Sequence, residues 1–381
     1  MSTRFYRRRR FAVGALAVAA PAALALAVAV PGGSAQAVGF GNDFHQTNLI
    51  SDLTNQGAQV VDPGLQNPWG LAFGPTTPLW VADNNSGLAT VYSINAGGTV
   101  AKKAPLTVTV PGGRVSTGDG SSPTGQVFNP TTGFVVTTPA GSGPADFIFS
   151  SESGQITAWN PMADPVTNGA STATLEFSSK TAVYKGLAIA TTSQGTFLYA
   201  SNFHDGTVDV FNSAFQHVRL AGNFRDRFLP RGYAPFGIQE IDGFLYVTYA
   251  QQDAARHDDV AGPGRGFVDI FTNNGFLVKR LISRGGLNAP WGLAVAPMGF
   301  GPFGGQLLVG NFGNGLIHAY GLFSGRPEGT LLNERHRPIR IDDLWALTFG
   351  TATTGGTGTL LFSAGINNEN DGLVGSINPA S

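Results

Sequence analysis

Side chains whose oxygen atoms could bind a metal ion recur directly before or after short apolar segments of this sequence. The candidate metal ligands among them are Asn67, Asp83, Glu152, Asn202 and Asn311. Carboxylate and amide oxygens are the ligands that Ca²⁺ prefers, and the ion takes about six to eight of them. A calcium site would therefore need several of these residues to converge from separate parts of the chain. Alternatively, each residue only stabilises its own turn, because Asn and Asp favour tight turns.

His204 is the candidate catalytic residue, two positions after Asn202. An imidazole in this place could act as a general base near neutral pH. A plain hairpin turn explains the same residues. The sequence contains no nucleophile elbow, no His-Glu-x-x-His motif and no P-loop, so whether the chain is an enzyme stays open.

These polar residues belong to a three-part pattern that occurs six times. Its first copy reads P-W-G-L-A at 68–72, L-W-V-A-D at 79–83 and G-L-A-T-V-Y at 87–92. The glycine of the first part, replaced by Ala346 in the last copy, recurs every 51 to 61 residues. Each part is rich in β-branched and aromatic residues, which predicts a strand. A period of about 40–50 residues with several strands is typical of propeller blades.

The repeat resembles the NHL type, and this resemblance implies an all-β fold, a six-bladed β-propeller. A single domain over residues 38–381 is expected. Its repeats lie near 67–110, 123–177, 183–220, 234–282, 289–332 and 343–379.

Four segments in this order carry a closer resemblance. They are F-H-Q-T-N-L-I-S-D-L at 44–53, N-P-W-G-L-A at 67–72, I-F-S-S-E-S-G-Q-I-T-A-W-N-P at 148–161 and A-P-W-G-L-A at 289–294. They are similar to a family of secreted bacterial NHL-like propellers of unknown function, some members of which carry a PEP-type sorting tail. Asn202-Phe203-His204 also resembles a calcium-binding loop of paraoxonase-type propellers.

The ring is expected to close through its N-terminal segment. Residues 45–53 match residues 279–284, which precede the fifth copy as an outer strand, whereas the sixth copy has no outer strand of its own. The sequence therefore predicts that residues 45–53 complete the last blade, which removes an exposed sheet edge. Trp69, Trp291 and Trp345 begin inner strands and are expected to wedge blades together, or else to form a stacking platform.

Residues 1–37 have the pattern of an export signal, Sec or Tat. Arg4 and four arginines at 7–10 precede an uncharged apolar run and an Ala-Gln-Ala cleavage site at 35–37. Without this segment the chain has 18 basic and 24 acidic residues, a net charge of −6. We therefore expect a secreted, extracellular monomer that binds neither nucleic acid nor, after cleavage, membrane. With no cysteine, the protein depends on its core alone.

Two functions fit the sequence. The first is a binding or interaction module whose partner, a small molecule, glycan or protein, docks at the face of the central channel. The alternative is a calcium-dependent, lactonase-like hydrolase or lyase with its site at the channel mouth. Converging oxygen ligands from several blades would favour the second.

Overall fold

The described part of the chain, residues 43–112 and 121–380 of a computed structural model, is a six-bladed β-propeller. Each blade is a sheet of four antiparallel strands, named A to D from the axis outward. The predicted export signal lies outside the described residues. Within them, no helix has the length and apolar character needed to cross a membrane.

The strands occupy the same order in every blade, and their bounds are as follows. Strand A is Pro68–Ala72, Pro123–Phe128, Tyr184–Thr192, Tyr233–Ile241, Pro290–Val295 and Leu344–Phe349. Strand B is Leu79–Asp83, Phe147–Ser151, Gly195–Asn202, Phe244–Gln251, Leu307–Asn311 and Leu360–Ala364. Strand C is Leu88–Ile94, Gln155–Trp159, Thr207–Phe211, Phe267–Thr272, Ile317–Tyr320 and Leu373–Pro379. Strand D is Ala101–Thr109, Thr174–Ser178, His217–Val218, Leu277–Ser283, Pro327–Thr330 and, for blade 6, Asp43–Ser51.

Smaller elements decorate the ring. Val60–Val61 and Leu332–Asn333 pair in parallel with the two ends of Asp43–Ser51, and Ala170–Thr172 extends blade 1. A hairpin, Val135–Thr138 with Gly141–Pro144, lies between strands A and B of blade 2. The short helical elements are Gly301–Phe303 and the single turn Ile366–Glu369.

Burial explains the composition of the strands. Strand B of blade 1 is buried at all five positions, because both faces of the sheet are covered by neighbouring blades. Strand D of blade 2, Thr174–Ser178, is at most partly buried throughout. Inner strands therefore read as continuous apolar runs, and only the outer strands carry many polar side chains.

The repeated glycine of strand A allows neighbouring blades to approach at the axis. A Cβ on Gly125 would lie 2.2 Å from the amide nitrogen of Leu187 in blade 3, and one on Gly237 would lie 2.1 Å from the carbonyl oxygen of Trp291 in blade 5. Both distances are far below van der Waals contact. The glycine spacing seen in the sequence is thus the spacing of these blade-to-blade contacts.

The prediction of ring closure by the N-terminal segment is confirmed, with the strand two residues earlier, at Asp43–Ser51. It pairs antiparallel with Leu373–Pro379 of blade 6, from His45 opposite Asn378 to Ser51 opposite Leu373. The Ser51 hydroxyl donates to the carbonyl oxygen of Gly372 at 2.6 Å. The two ends of the described chain are therefore joined in one sheet.

Candidate functional site

The channel is closed near one end by a layer of side chains from strand A. Each blade contributes the residue before the repeated glycine, or before Ala346 in blade 6: Trp69, Thr124, Lys185, Phe236, Trp291 and Trp345. We call these six residues the axial layer. Trp69 and Trp345 stack with ring centroids 3.5 Å apart, and Trp291 meets both edge-on at 6.4 and 5.8 Å. The tryptophans expected to wedge pairs of blades thus meet one another across the axis.

Two phenylalanines from the B–C loops thicken this closure. Phe312 of blade 5 stacks on Trp345 at 4.2 Å, and Phe203 of blade 3 contacts Phe236 at 5.3 Å. Phe203 and Trp345 are almost completely buried. Together with Trp69, Phe236, Trp291 and Trp345 of the axial layer, the two phenylalanines form what we call the aromatic plug. It separates the channel mouth, where strands A begin, from the rest of the channel.

Lys185 is the charged member of the axial layer, and only 3% of its side chain is exposed. Its ammonium donates to the carboxylate of Glu152 and lies 3.3 Å from Oδ1 of Asp258. The same nitrogen lies 5.1 Å from the ring centre of Trp69. Burial alone would lower the pKa of Lys185, but the negative charges of Glu152 and Asp258 raise it above its ordinary value. Lys185 is thus a permanent cation.

Carboxylates surround this cation, and they come from the B–C loops of alternate blades. Blade 2 supplies Glu152, blade 4 supplies Asp258 and Asp259, and blade 6 supplies Glu369. We call these four residues with Lys185 the mouth cluster. Four carboxyl groups around one ammonium make the channel mouth acidic.

Asparagines tie the mouth cluster to the aromatic plug. The amide of Asn67 donates to Oε2 of Glu369 at 3.0 Å, while its carbonyl oxygen accepts the indole N–H of Trp345 at 3.0 Å. Asn84 donates to Oε2 of Glu152, also at 3.0 Å. Glu369 and Glu152 are therefore each held by an asparagine next to the end of a strand.

An unusual backbone turn carries Glu369 to the mouth. Asn367, Asn368 and Glu369 all have left-handed φ values, of 60°, 54° and 63°. Such a conformation costs on the order of 1 kcal/mol for a residue with a side chain, and Asn tolerates it better than most. The turn therefore holds Glu369 in place at an energetic cost that the hydrogen bond from Asn67 helps to offset.

Two members of the mouth cluster ionise near neutral pH. Burial raises the pKa of Asp259 to about 7, against the opposing attraction of Lys185. Burial also raises the pKa of Glu369 to about 7, although the hydrogen bond from Asn67 and the charge of Lys185 oppose it. A carboxyl group of this kind can exchange a proton at neutral pH.

A possible metal-binding group lies at the edge of the cluster. Ligand atoms of Glu152, His257 and Asp258 lie within 4.8 Å of one another. Lys185 already contacts two of these three residues, and His257 Nδ1 lies 2.9 Å from Oδ1 of Asp258. Calcium needs about six oxygens. These three residues therefore offer too few free oxygen ligands for calcium as long as Lys185 occupies two of them.

The predicted ligands fall into two sets. Asn67 and Glu152 lie at the mouth, whereas Asp83, Asn202 and Asn311 are buried inside their own blades. Asn202 donates to Asp205 and Asp209, both at 3.0 Å, and Asn311 donates to the carbonyl oxygen of Gly286 at 2.8 Å. Asp83 accepts the hydroxyl of Thr90 at 2.7 Å.

Strand geometry explains the division. Asp83, Asn202 and Asn311 are the last residues of strand B, and successive side chains point to opposite sides. The next residue in each blade is the one near the mouth, as with Asn84, Phe203 and Phe312. His204 follows Phe203 and is half-buried, and it makes no contact with the mouth cluster among the described hydrogen bonds. A calcium role for the five candidates and a catalytic role for His204 stay predictions.

The pKa of Glu369 leads to a test of the cluster. The folded pKa is higher than the unfolded one, so the free energy of unfolding decreases as pH rises from about 4.5 to 7. The Glu369→Gln variant keeps an acceptor for Asn67 but carries no charge. We expect its free energy of unfolding at pH 8 to exceed that of the wild type by about 1 kcal/mol, with little difference at pH 4.5. Urea denaturation at both pH values measures this, with the exposed Glu328→Gln as the matched control.

A cavity lies on the other side of the axial layer. Its volume is about 420 Å³. It is lined by strand A residues near 70–73, 125–128, 187–189, 238–240 and 346–348, and by Trp291. The channel is thus an open cavity on one side of the aromatic plug, and the charged mouth cluster lies on the other side.

Comparison with solved structures shows the propeller fold. The PQQ-bound aldose sugar dehydrogenase of Streptomyces coelicolor superimposes with a TM-score of 0.51 at 13% identity, over 89% of this chain and 99% of that one. A glucose dehydrogenase gives a TM-score of 0.50 at 13% identity, over 88% and 100%. A virginiamycin B lyase from Staphylococcus aureus gives 0.43 at 13% identity, over 88% and 99%. At these identities the likeness concerns the fold alone.

Sequence comparison finds relatives along most of the chain. No protein-family model matches. "Uncharacterized protein R648" of Acanthamoeba polyphaga mimivirus is 34% identical over 86% of this chain and 78% of its own length. "Uncharacterized protein L690" of the same virus is 32% identical over 87% and 85%. These relatives are viral, whereas the sequence pattern pointed to a bacterial family. At this identity and coverage, the chain belongs to the family that contains these two mimivirus proteins.

Proposed function

We propose that this protein is a secreted binding module whose ligand docks on the mouth cluster. The observation that carries the proposal is the convergence of carboxylates from blades 2, 4 and 6 around one buried ammonium, above an aromatic plug. A plugged channel prevents passage through the axis and leaves a shallow acidic surface. Such a surface suits recognition of a ligand with positive charge. The export pattern of residues 1–37 supports a role outside the cell.

The ligand carries amino or guanidino groups, because the mouth offers more acceptors than donors. Four carboxylates face one ammonium, and Lys185 is occupied by Glu152 and Asp258. Asp258 is well exposed at 67% of its side chain, and its pKa is lowered by the hydrogen bond with His257 and by Lys185. It therefore remains an anion that an incoming cation can contact.

A calcium-dependent hydrolase or lyase is the second candidate. The approach of Glu152, His257 and Asp258 to within 4.8 Å favours it, as do two carboxyl groups with a pKa of about 7. In that case a calcium ion would polarise a carbonyl group, and Asp259 or Glu369 would move a proton. His204 is the alternative base.

One titration experiment separates the two functions. A tetralysine peptide and calcium chloride are titrated into the wild type, into Asp258→Asn, and into the control Asp242→Asn. This control changes an exposed carboxylate in the turn between strands A and B of blade 4, at the end of the strands opposite to the mouth. The binding module predicts saturable peptide binding that weakens about tenfold in Asp258→Asn and persists in chelator. Calcium binding that is lost in Asp258→Asn, together with calcium-dependent hydrolysis of δ-valerolactone, would establish the enzyme instead. If neither probe binds, both functions are wrong.

A further inference from the structure

A second pocket, of about 320 Å³, lies between blades 4 and 5 on the outer part of the ring. It is formed by the end of strand D of blade 4, by the turn at 284–286, and by strands C and D of blade 5. We call it the blade 4–5 pocket. Its size is at the lower end of the range for small-molecule sites, about 300–1,000 Å³. It shares no residue with the mouth cluster.

Two polar atoms converge inside this pocket. His318 and Tyr320 are alternate residues of one strand, so their side chains share a face. Tyr320 Oη lies 3.1 Å, and His318 Nε2 3.3 Å, from the point that a Gly286 Cβ would occupy. The other ring nitrogen of His318 is 2.8 Å from the Thr330 hydroxyl, which fixes the orientation of the ring. Both hydrogen-bonding groups thus lie close to the backbone of Gly286, where a side chain would crowd them.

The charge of the pocket is opposite to that of the channel mouth. Arg284 is the charged residue among those that line it, and no carboxylate does so. The guanidinium of Arg284 lies 5.5 Å from the ring centre of Phe267, a residue of blade 4 that does not itself line the pocket. Leu281, Ile282 and Pro327 form the apolar part of the wall. The lining of this pocket therefore includes one positive charge and no negative one.

The pKa of His318 reflects the burial of its ring in the pocket. Burial lowers the pKa of His318, so its ring is uncharged at neutral pH. A bound anion next to Nε2 would raise that pKa again. Ligand binding should therefore be visible in the titration of this histidine.

We propose that the blade 4–5 pocket binds a small organic anion, a carboxylate on a compact apolar body. The carboxylate lies against Tyr320 Oη, His318 Nε2 and the Arg284 guanidinium. The apolar body packs against Leu281, Ile282 and Pro327. Binding here is independent of any ligand at the mouth cluster.

Benzoate is the probe that tests the proposal, by calorimetric titration and by NMR of the His318 ring. Gly286→Ala crowds Tyr320 Oη and His318 Nε2 without backbone strain, because Gly286 does not have a left-handed φ. Tyr320→Phe removes one hydrogen-bond donor. We expect each change to weaken benzoate binding about tenfold. Gly358→Ala is the matched control, since a Cβ there would meet nothing within 4 Å, and it should bind as the wild type does.

Two further ligands test separately whether the pocket recognises the charge of benzoate and its ring. Benzyl alcohol has the same ring without the charge, and it should bind at least about tenfold more weakly than benzoate. Inorganic phosphate has the charge without the ring, and it should also bind more weakly. Equal binding of benzyl alcohol, equal binding of phosphate, no saturable benzoate binding, or unchanged affinity in a folded Gly286→Ala variant would each overturn the proposal.

Discussion

Replacing Trp345 by alanine is expected to reduce the free energy of unfolding by about 3–5 kcal/mol. Trp345 is 1% exposed, and it stacks on Trp69 on one side and on Phe312 on the other. The change removes these contacts at the axis, where strands from all six blades converge and cannot collapse inward. It also leaves the side-chain oxygen of Asn67 without the indole donor, which adds a cost of its own.

Urea denaturation of the Trp345→Ala variant measures this loss. Phe228→Ala is a suitable control because Phe228 is 84% exposed, and its free energy of unfolding should change by less than about 0.5 kcal/mol. Trp345→Phe should give an intermediate loss, since a smaller ring still stacks but donates no hydrogen bond. A loss below about 1 kcal/mol in Trp345→Ala would show that the aromatic plug does not stabilise the ring.

The Lys185→Met variant is expected to lose about 3–5 kcal/mol at pH 8, because it leaves Glu152, whose side chain is only 14% exposed, without its cation. The loss should shrink at pH 4, because Asp259 and Glu369, whose pKa values burial raises to about 7, are then protonated and the mouth cluster has fewer negative charges for Lys185 to balance. Adding Glu152→Gln to Lys185→Met should restore a large part of the stability at pH 8, since the unpaired charge is then removed.

Chemical denaturation of the single and double variants at both pH values tests this. Lys180→Met is the matched control, because Lys180 is exposed and its loss should be nearly neutral. Equal losses in the single and double variants would mean that Lys185 contributes through packing against Trp69 rather than through charge.

The fold could be read from the sequence because every blade repeats the same physical requirement. The glycine before Leu71 or Leu293 is needed wherever one strand A approaches the next, so its spacing gives the number of blades. The closing strand was also predictable, because residues 45–53 repeat the pattern of an outer strand. Its bounds differ by two residues, since the pairing partner at Leu373–Pro379 decides where the strand begins.

The site was predicted only in part. The sequence analysis names Asn67 and Glu152 as metal ligands, a role that stays a prediction, and it does not name Lys185, Asp259 or Glu369 as site residues. Asp259 and Glu369 reach the mouth through irregular loops, one of them a left-handed turn that no periodic pattern indicates. A signal for Lys185 did exist: it is the charged residue at a position that is Trp or Phe in four of the other five copies. Comparison of this position across the six copies would have indicated that Lys185 lies at the axis of the ring.

The pairing of the N-terminal strand in blade 6 also determines which part of the ring can fold last. The hydrogen bond from Ser51 to Gly372 joins residues 321 positions apart, so blade 6 cannot be completed until Leu373–Pro379 has been synthesised. Contacts between such distant residues form slowly. Until then Leu49 and Ile50, which are fully buried in the finished ring, have no partner sheet. A ring without strand Leu373–Pro379 therefore exposes the edge and the apolar side chains of Asp43–Ser51, and exposed edges of this kind favour pairing with other chains.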